Sequence, residues 1–412
     1  AAAWSLSKKN YKILCLEQGP YISKEEYPEN ENEWEIKKQK RFNFNPNIRQ
    51  LDSDYFINDK ESPISIANFN AVGGSTILYS GLFPRFHESD FKAKTLDDVA
   101  DDWPFQYKDL EPFYSLNDKM MGVSGVDGDP VYPKISNLLP PVPLNLIGNT
   151  MAHAFNKLGW HWWPSYSAII TENYNGRKIN NKKFEVSGAS YQSKSSVDVS
   201  YWPIAIQNGV QLKANSRVLK IITNNFGKAE GVLYTDLKGN IHKQKASIIL
   251  LACNGIGTPR LLLNSSNKNF PDGLANSSGL VGKNLMIHPL GYVEGQFPTF
   301  MNSSDGPKGC CISSHEFYET DKTRDFTRGY SIQVLRGDGP IETFNSGRKF
   351  KKINFGESFH KDFFELYGHK SSLTIICEDL PEITNFVELD DNIPDSSGMP
   401  GVKVHYKLKF HD

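Results

Sequence analysis

What this chain of 412 residues lacks narrows its reading first. Its five cysteines, Cys15, Cys253, Cys310, Cys311 and Cys377, are odd in number, and only the vicinal pair is close in sequence, so they form no disulfide framework. There is no C-x-x-C, no H-E-x-x-H and no cluster of histidines among carboxylates, which removes the usual patterns for structural zinc or an iron–sulfur centre. No metal is expected. No apolar run approaches the ~20 residues that cross a bilayer, and mean hydropathy is −0.47, so no membrane insertion is expected within these residues. Charge of one sign is lacking too: 46 basic residues stand against 47 acidic, a net −1 at pH 7. Nothing in that balance draws the chain to nucleic acid or an anionic surface. Location stays open between cytoplasm and periplasm.

What is present begins with "KILCLEQG". Residues 12–16 read as a short buried strand closed by an acid and a glycine, and residues 1–6 before it as a helix. Helix, strand, then Glu17 is the second half of a dinucleotide-binding unit, in which the glycine loop precedes the helix and the ribose-binding acid lies roughly 20 residues after it. Counting back places that loop before residue 1, and no methionine occurs before Met120; the expectation is that the first strand and the G-x-G-x-x-G loop precede this sequence. Residues 20–60 are polar and Asn-rich, and read as a surface excursion with one short helix. In "ISIANFNAVGGSTILYSGLFPRFHESDF" an apolar run meets Gly73, Gly74, Ser75 and Thr76. Paired glycines after a strand let backbone approach a ligand, and equally make a plain Gly-Gly turn.

Further on, residues 151–164 read as an amphipathic helix ending near Gly159, followed by Trp160, His161, Trp162 and Trp163. Clustered aromatics of this kind pack cores more often than they stack on sugars, and His161 reads as a packed or surface residue. From residue 209 short alternating runs separated by Gly227 and by Gly239 with Asn240 predict an antiparallel meander that feeds a buried strand at 248–252. That strand meets "CNGIGTPRLLLNSS", where Gly255 and Gly257 open a helix with Pro259 in its first turn. Its N-terminus suits a phosphate or another anion. "GYSIQVLR", "SSLTIICEDL" and "NFVELDD" predict a mostly antiparallel second sheet, and the closing "GVKVHYKLKFHD" reads as an open strand.

Four stretches in fixed order, "CLEQG", "VGGSTILYSGLFPRFHESDF", "ILLACNGIGTPRLLLNSS" and "GLVGKNLMIHP", resemble the glucose-methanol-choline family of flavin oxidoreductases. The resemblance implies an α/β fold: a split Rossmann-like FAD-binding domain (1–100 and 196–292) and an α+β substrate domain with a mostly antiparallel sheet (101–195 and 293–412). It implies FAD, with Glu17 on the adenosine ribose and Gly73, Gly74 and Ser75 near the pyrophosphate and ribityl chain. Tyr79 and Ser80 would lie beside the isoalloxazine, Val218 would pair through its backbone with adenine, and Asn254, Gly255 and Thr258 would flank the flavin from the other side. Leu78 stands where some relatives link a histidine to the flavin, so non-covalent FAD is expected. Residues 171–196 hold no cysteine, against an iron–sulfur relay there. The family's late catalytic histidine has no match; His405 and His411 read as structural or surface residues, and the base is expected after Asp412, leaving these residues alone inactive. The implied reaction is oxidation of an alcohol, with a sugar or polyol favoured, to an unidentified electron acceptor. Two other readings stand beside it: another two-domain flavoprotein such as a monooxygenase, and a non-catalytic carbohydrate-binding relative.

Overall fold

Short apolar runs punctuated by left-handed glycines become thirteen strands in the computed structural model, which describes residues 1–28, 31–179, 193–307 and 309–409. In chain order these are β1 (Leu14–Leu16), β2 (Ile57–Asn58), β3 (Trp163–Pro164), β4 (Gln211–Lys213), β5 (Arg217–Thr223), β6 (Ala229–Thr235) and β7 (Ile241–Lys245). Then follow β8 (Leu290–Gln296), β9 (Cys310–Ser314), β10 (Tyr330–Leu335), β11 (Lys370–Cys377), β12 (Phe386–Pro394) and β13 (Pro400–His405). They make four sheets: β1-β4, β5-β6-β7, β12-β13-β2 and β3-β9-β10-β11-β8. The last is antiparallel throughout, and β1-β4 is parallel. The result is a mixed α/β molecule whose sheets are mostly antiparallel, with parallel pairs at β1-β4 and β13-β2; the antiparallel five-stranded sheet is as expected.

The N-terminal helix (Ala2–Ser7) and β1 fall where the sequence puts them. So does the meander, whose hairpins turn at Gly227 and Gly239 with φ of 78° and 79°, values glycine adopts without Cβ strain. Four expectations need correction. Residues 248–252 form no strand: Ile249 and Leu251 pack on Ile221, Val232, Leu261 and Leu274, while Ile248 and Leu250 are 77% and 63% exposed. The alternation survives, but a strand also needs a hydrogen-bonded neighbour, and no described residue supplies one. Pro259 is the sixth residue of its helix (Asn254–Asn264), not part of the first turn.

Residues 20–60 are more than a surface excursion, because Ile22, Tyr27, Trp34 and Phe42 make a core with Phe69, Ala71 and Ile77. Each of the larger side chains contributes about 1.5–3 kcal/mol by leaving water. Glu35, 1% exposed, accepts the Ile341 and Glu342 amides at 2.9 and 3.0 Å, so it caps the helix Pro340–Lys349 from that core. Finally, β13 is not an open strand. It is central, paired with β12 on one side and with β2 on the other, and residues 386–405 pack with Tyr55, Ile57 and Ile256 rather than on the five-stranded sheet.

A buried ion cluster fastens this arrangement. Asp395 in the β12–β13 turn receives Arg217 at 3.0 Å and Arg260 at 2.6 Å. Arg217 also donates to the carbonyls of Asp52 and Asp54, and Arg260 to that of Pro400.

Candidate functional site

Glu17 follows β1 and extends its parallel pairing by one rung: its amide donates to the Lys213 carbonyl at 3.0 Å, and its own carbonyl accepts from Ser216 at 2.8 Å. That fixes the carboxylate just past the carboxyl end of a parallel strand, the position where α/β folds bind ligands. Its Oε1 accepts the Gly19 amide at 2.8 Å. Burial pushes the carboxyl up to about 7, against the pull of the Gly19 and Gln18 amides. Gly19 is pressed on the next segment, since a Cβ there would stand 2.1 Å from the Asn70 carbonyl oxygen, and Val72 donates to the Pro20 carbonyl at 2.9 Å.

That segment leads directly to the glycine pair. Gly73 and Gly74 have φ of 113° and 55° and start a 3-10 turn, Gly74–Ile77. Ser75 Oγ accepts the Phe69 amide at 3.3 Å, while Thr76 Oγ1 donates to the Gly73 carbonyl and accepts the Val197 amide at 3.1 Å. Both hydroxyls thus fold the loop onto itself, and what the loop offers a ligand is backbone. Tyr79 turns into the core around Trp4 and Met121 and donates its hydroxyl to the Ser195 carbonyl at 2.6 Å. Ser80 is half-buried beside it. Leu78 packs against the Trp34 and Phe42 core and carries no nucleophile.

The third segment is the helix Asn254–Asn264. Asn254, with φ of 60°, closes its start by accepting the Ile256 and Gly257 amides at 2.8 and 2.9 Å, and reaches across to Asn68 Oδ1 at 3.2 Å. A Cβ on Gly255 would meet nothing within 4 Å, whereas one on Gly257 would stand 3.2 Å from the Cys253 Cβ. Asn254, Gly255 and Thr258 line a cleft of about 490 Å³ with Lys283, Asn284 and Met286. The charge of Glu17 is felt at Cys253, whose thiol burial already pushes up. Through residues 68–72, therefore, Glu17, the glycine pair and the helix start are brought together. Val218 lies nearby on the edge strand β5, in register with Tyr234 and packed with Leu16 on the Ile221 core; the pairing with β6 slips just after it, at Leu219.

These residues suit a dinucleotide. An open glycine at a helix start, a second pair of glycines in left-handed backbone and an acid at a strand end provide close backbone approach and a diol acceptor. The aromatic run and the histidines have other work. Trp160 packs on Phe155 and Phe317, and the indoles of Trp162 and Trp163 donate to Asn156 and to the Val126 carbonyl. His161 holds Asp129 at 3.0 Å and accepts the His315 amide, next to His87. His405 pairs with Glu388 and stacks on Phe386; His411 lies outside the described residues. Sequence reasoning missed Asn68, Lys194 and Asp198. The last two were visible as charges four apart in the otherwise small and apolar "SKSSVDVS".

Comparison with known proteins adds the following. The family model for GMC oxidoreductase matches residues 55–290. The 2-methyl-1,2-propanediol dehydrogenase of Mycolicibacterium austroafricanum is 41% identical over 99% of this chain and 74% of its own length. The fructose dehydrogenase large subunit of Gluconobacter japonicus is 26% identical over 82% of this chain and 62% of its own. For the paromamine 6'-oxidase of Streptomyces fradiae the figures are 25%, 81% and 59%. The chain thus spans about three-fifths of the length of the latter two relatives.

Proposed function

The chain belongs to the GMC oxidoreductase family, and from that premise we propose that it binds FAD without a covalent link and oxidises a CH–OH group of a small polyol. The observation that carries this reading is the meeting of Glu17, Gly73 with Gly74, and the start of the helix Asn254–Asn264 around residues 68–72. When bound, FAD supplies the hydride acceptor that oxidation at a carbinol carbon requires.

The protein's own residues do the holding. Glu17 accepts the two ribose hydroxyls, and the Gly73, Gly74 and Ser75 backbone approaches the pyrophosphate and ribityl chain. Tyr79 and Ser80 support the flavin's bed. Asn254, Gly255 and Thr258 would close it from the helix side, and the Val218 backbone, on an edge strand, would pair with adenine. Residues 1–100 and 196–292 make the FAD-binding part, and 101–195 and 293–412 the substrate part, with 386–405 packed back onto the former. Taking the hydroxyl proton needs a base within hydrogen-bond reach. His161 is not assigned that task, because both its ring nitrogens are engaged, Nε2 by Asp129 and Nδ1 by the His315 amide; His405, stacked on Phe386 in β13, is read as structural.

The family match sets aside a monooxygenase-type flavoprotein. The name of the 41% identical relative favours a vicinal diol and a dehydrogenase's acceptor, and that of the fructose dehydrogenase subunit adds a sugar. The full gene product carrying this chain should show flavin bands in the visible, release the flavin on acid precipitation, and bleach anaerobically with 2-methyl-1,2-propanediol or fructose. A colourless protein defeats the cofactor reading and favours a binding protein. A yellow protein bleached by no diol, sugar or aliphatic alcohol defeats the substrate reading.

A further inference from the structure

Behind the loop from Gly73 to Tyr79 lie two charges that the reaction does not use. Lys194 is 5% exposed, and its Nζ donates to the carbonyls of Ile77, Tyr79 and Thr76 at 2.5, 3.2 and 3.4 Å. It also stands 5.2 Å from the centre of the Tyr79 ring. Four residues on, Asp198 is 3% exposed. Its Oδ2 accepts the Tyr27 hydroxyl at 2.6 Å, and its Oδ1 is buried with no partner, 3.1 Å from where a Cβ on Gly73 would be.

The carboxylate therefore faces the start of the Gly74–Ile77 turn and the ammonium faces its last carbonyls, the arrangement that complements the dipoles of such a turn. Between them the Val197 amide is tied to Thr76 Oγ1. Removing an ammonium from water is unfavourable, and an apolar residue of similar size would fill the space without that penalty. Burial accordingly pushes the Lys194 ammonium down to about 7, with Asp198 opposing, and the three carbonyl oxygens favour the charged form as well. A charge at this depth therefore does not serve packing alone.

We propose that Lys194 and Asp198 are positioning residues that clamp the Gly73–Tyr79 loop, before any ligand arrives, in the shape that receives the flavin. The inference rests on the FAD reading above, and its tests separate the two. In the wild-type apoprotein, amide hydrogen exchange in residues 73–79 should be slow and should change less than tenfold when FAD is added. A loop that exchanges freely and becomes protected only with FAD overturns the clamp, whether or not any variant folds.

In variants, K194M should weaken FAD binding at least tenfold and lower the flavin's reduction potential, since a positive charge near the site is lost, while K194R restores both. D198N should weaken binding in the same direction. K194M with wild-type affinity and potential, or K194R no better than K194M, overturns the proposal. Should the wild-type protein bind no FAD at all, the function falls and the exchange measurement still decides on the clamp.

Discussion

Glu17 should make cofactor binding and stability respond to pH in opposite senses. Its carboxyl titrates at about 7 in the folded protein against 4.5 when solvated. Below pH 4.5 the group is neutral in both states. Between 4.5 and 7 only the folded state keeps the proton, and above 7 the folded state must hold an unfavourable buried carboxylate. At about 1.4 kcal/mol per pH unit the apoprotein therefore loses up to about 3 kcal/mol as pH rises through this window, the upper figure because Glu17 is only half-buried. E17Q abolishes that loss and should be the more stable apoprotein at pH 8, with little difference at pH 4.5.

Ribose hydroxyls donate hydrogen bonds, so FAD binding asks for the carboxylate, and below pH 7 it must expel a proton. The Kd should weaken about 25-fold from pH 7.5 to pH 5.5, with close to one proton released at the lower pH. Fluorescence titration of apoprotein with FAD at each pH, and calorimetry in two buffers of different ionisation heat, measure both. A flat Kd across this range, or an E17Q protein that keeps the same slope, would refute the assignment of the ribose to Glu17.

Other outcomes follow from single contacts. Gly255→Ala should leave the unfolding free energy of the apoprotein within about 0.5 kcal/mol, because its Cβ meets nothing, yet weaken FAD by tenfold or more; a variant binding FAD normally would move the nucleotide away from this helix start. Glu35→Ala strips the cap from the helix Pro340–Lys349 and should cost about 2–3 kcal/mol in urea unfolding. Burial, aided by neighbouring His87, pushes His315 down to about 3 from 6.5. The unfolded chain thus takes up the proton first, and acidification to pH 5 should cost up to about 2 kcal/mol that His315→Asn does not lose, seen as a smaller fall in Tm between pH 7 and pH 5.

The parts of this molecule legible in its sequence are those where local pattern and tertiary demand agree. The helix Asn254–Asn264, β1 and the β5-β6-β7 meander combine apolar periodicity with glycines that the turns require. Residues 248–252 carried the same apolar pattern, but pattern says nothing of whether a neighbour will complete the ladder. The core around Trp34 and Phe42 was hidden by the charged residues between its members. The central place of β13 depends on β2, some 340 residues earlier, and no window along the chain records that pairing. At the site, the glycines and Glu17 were visible because they break the composition around them. Asn68 was not, since what it offers is set by the fold and the residue type gives no hint of it, and Val218 was named only through the family resemblance.

The ion cluster on Asp395 also sets a timetable. Arg217 and Arg260 leave the ribosome well before their shared anion, which follows Arg260 by 135 residues. At ordinary rates of synthesis that is a wait of roughly 7–27 s. During it two guanidinium groups destined for the interior stay hydrated, and the surfaces of β2 and of the helix Asn254–Asn264 that β12 and β13 will cover remain open. The turn bearing Asp395 must be made before this half of the molecule can close, and until then Tyr55, Ile57 and Ile256 lack the valines that cover them.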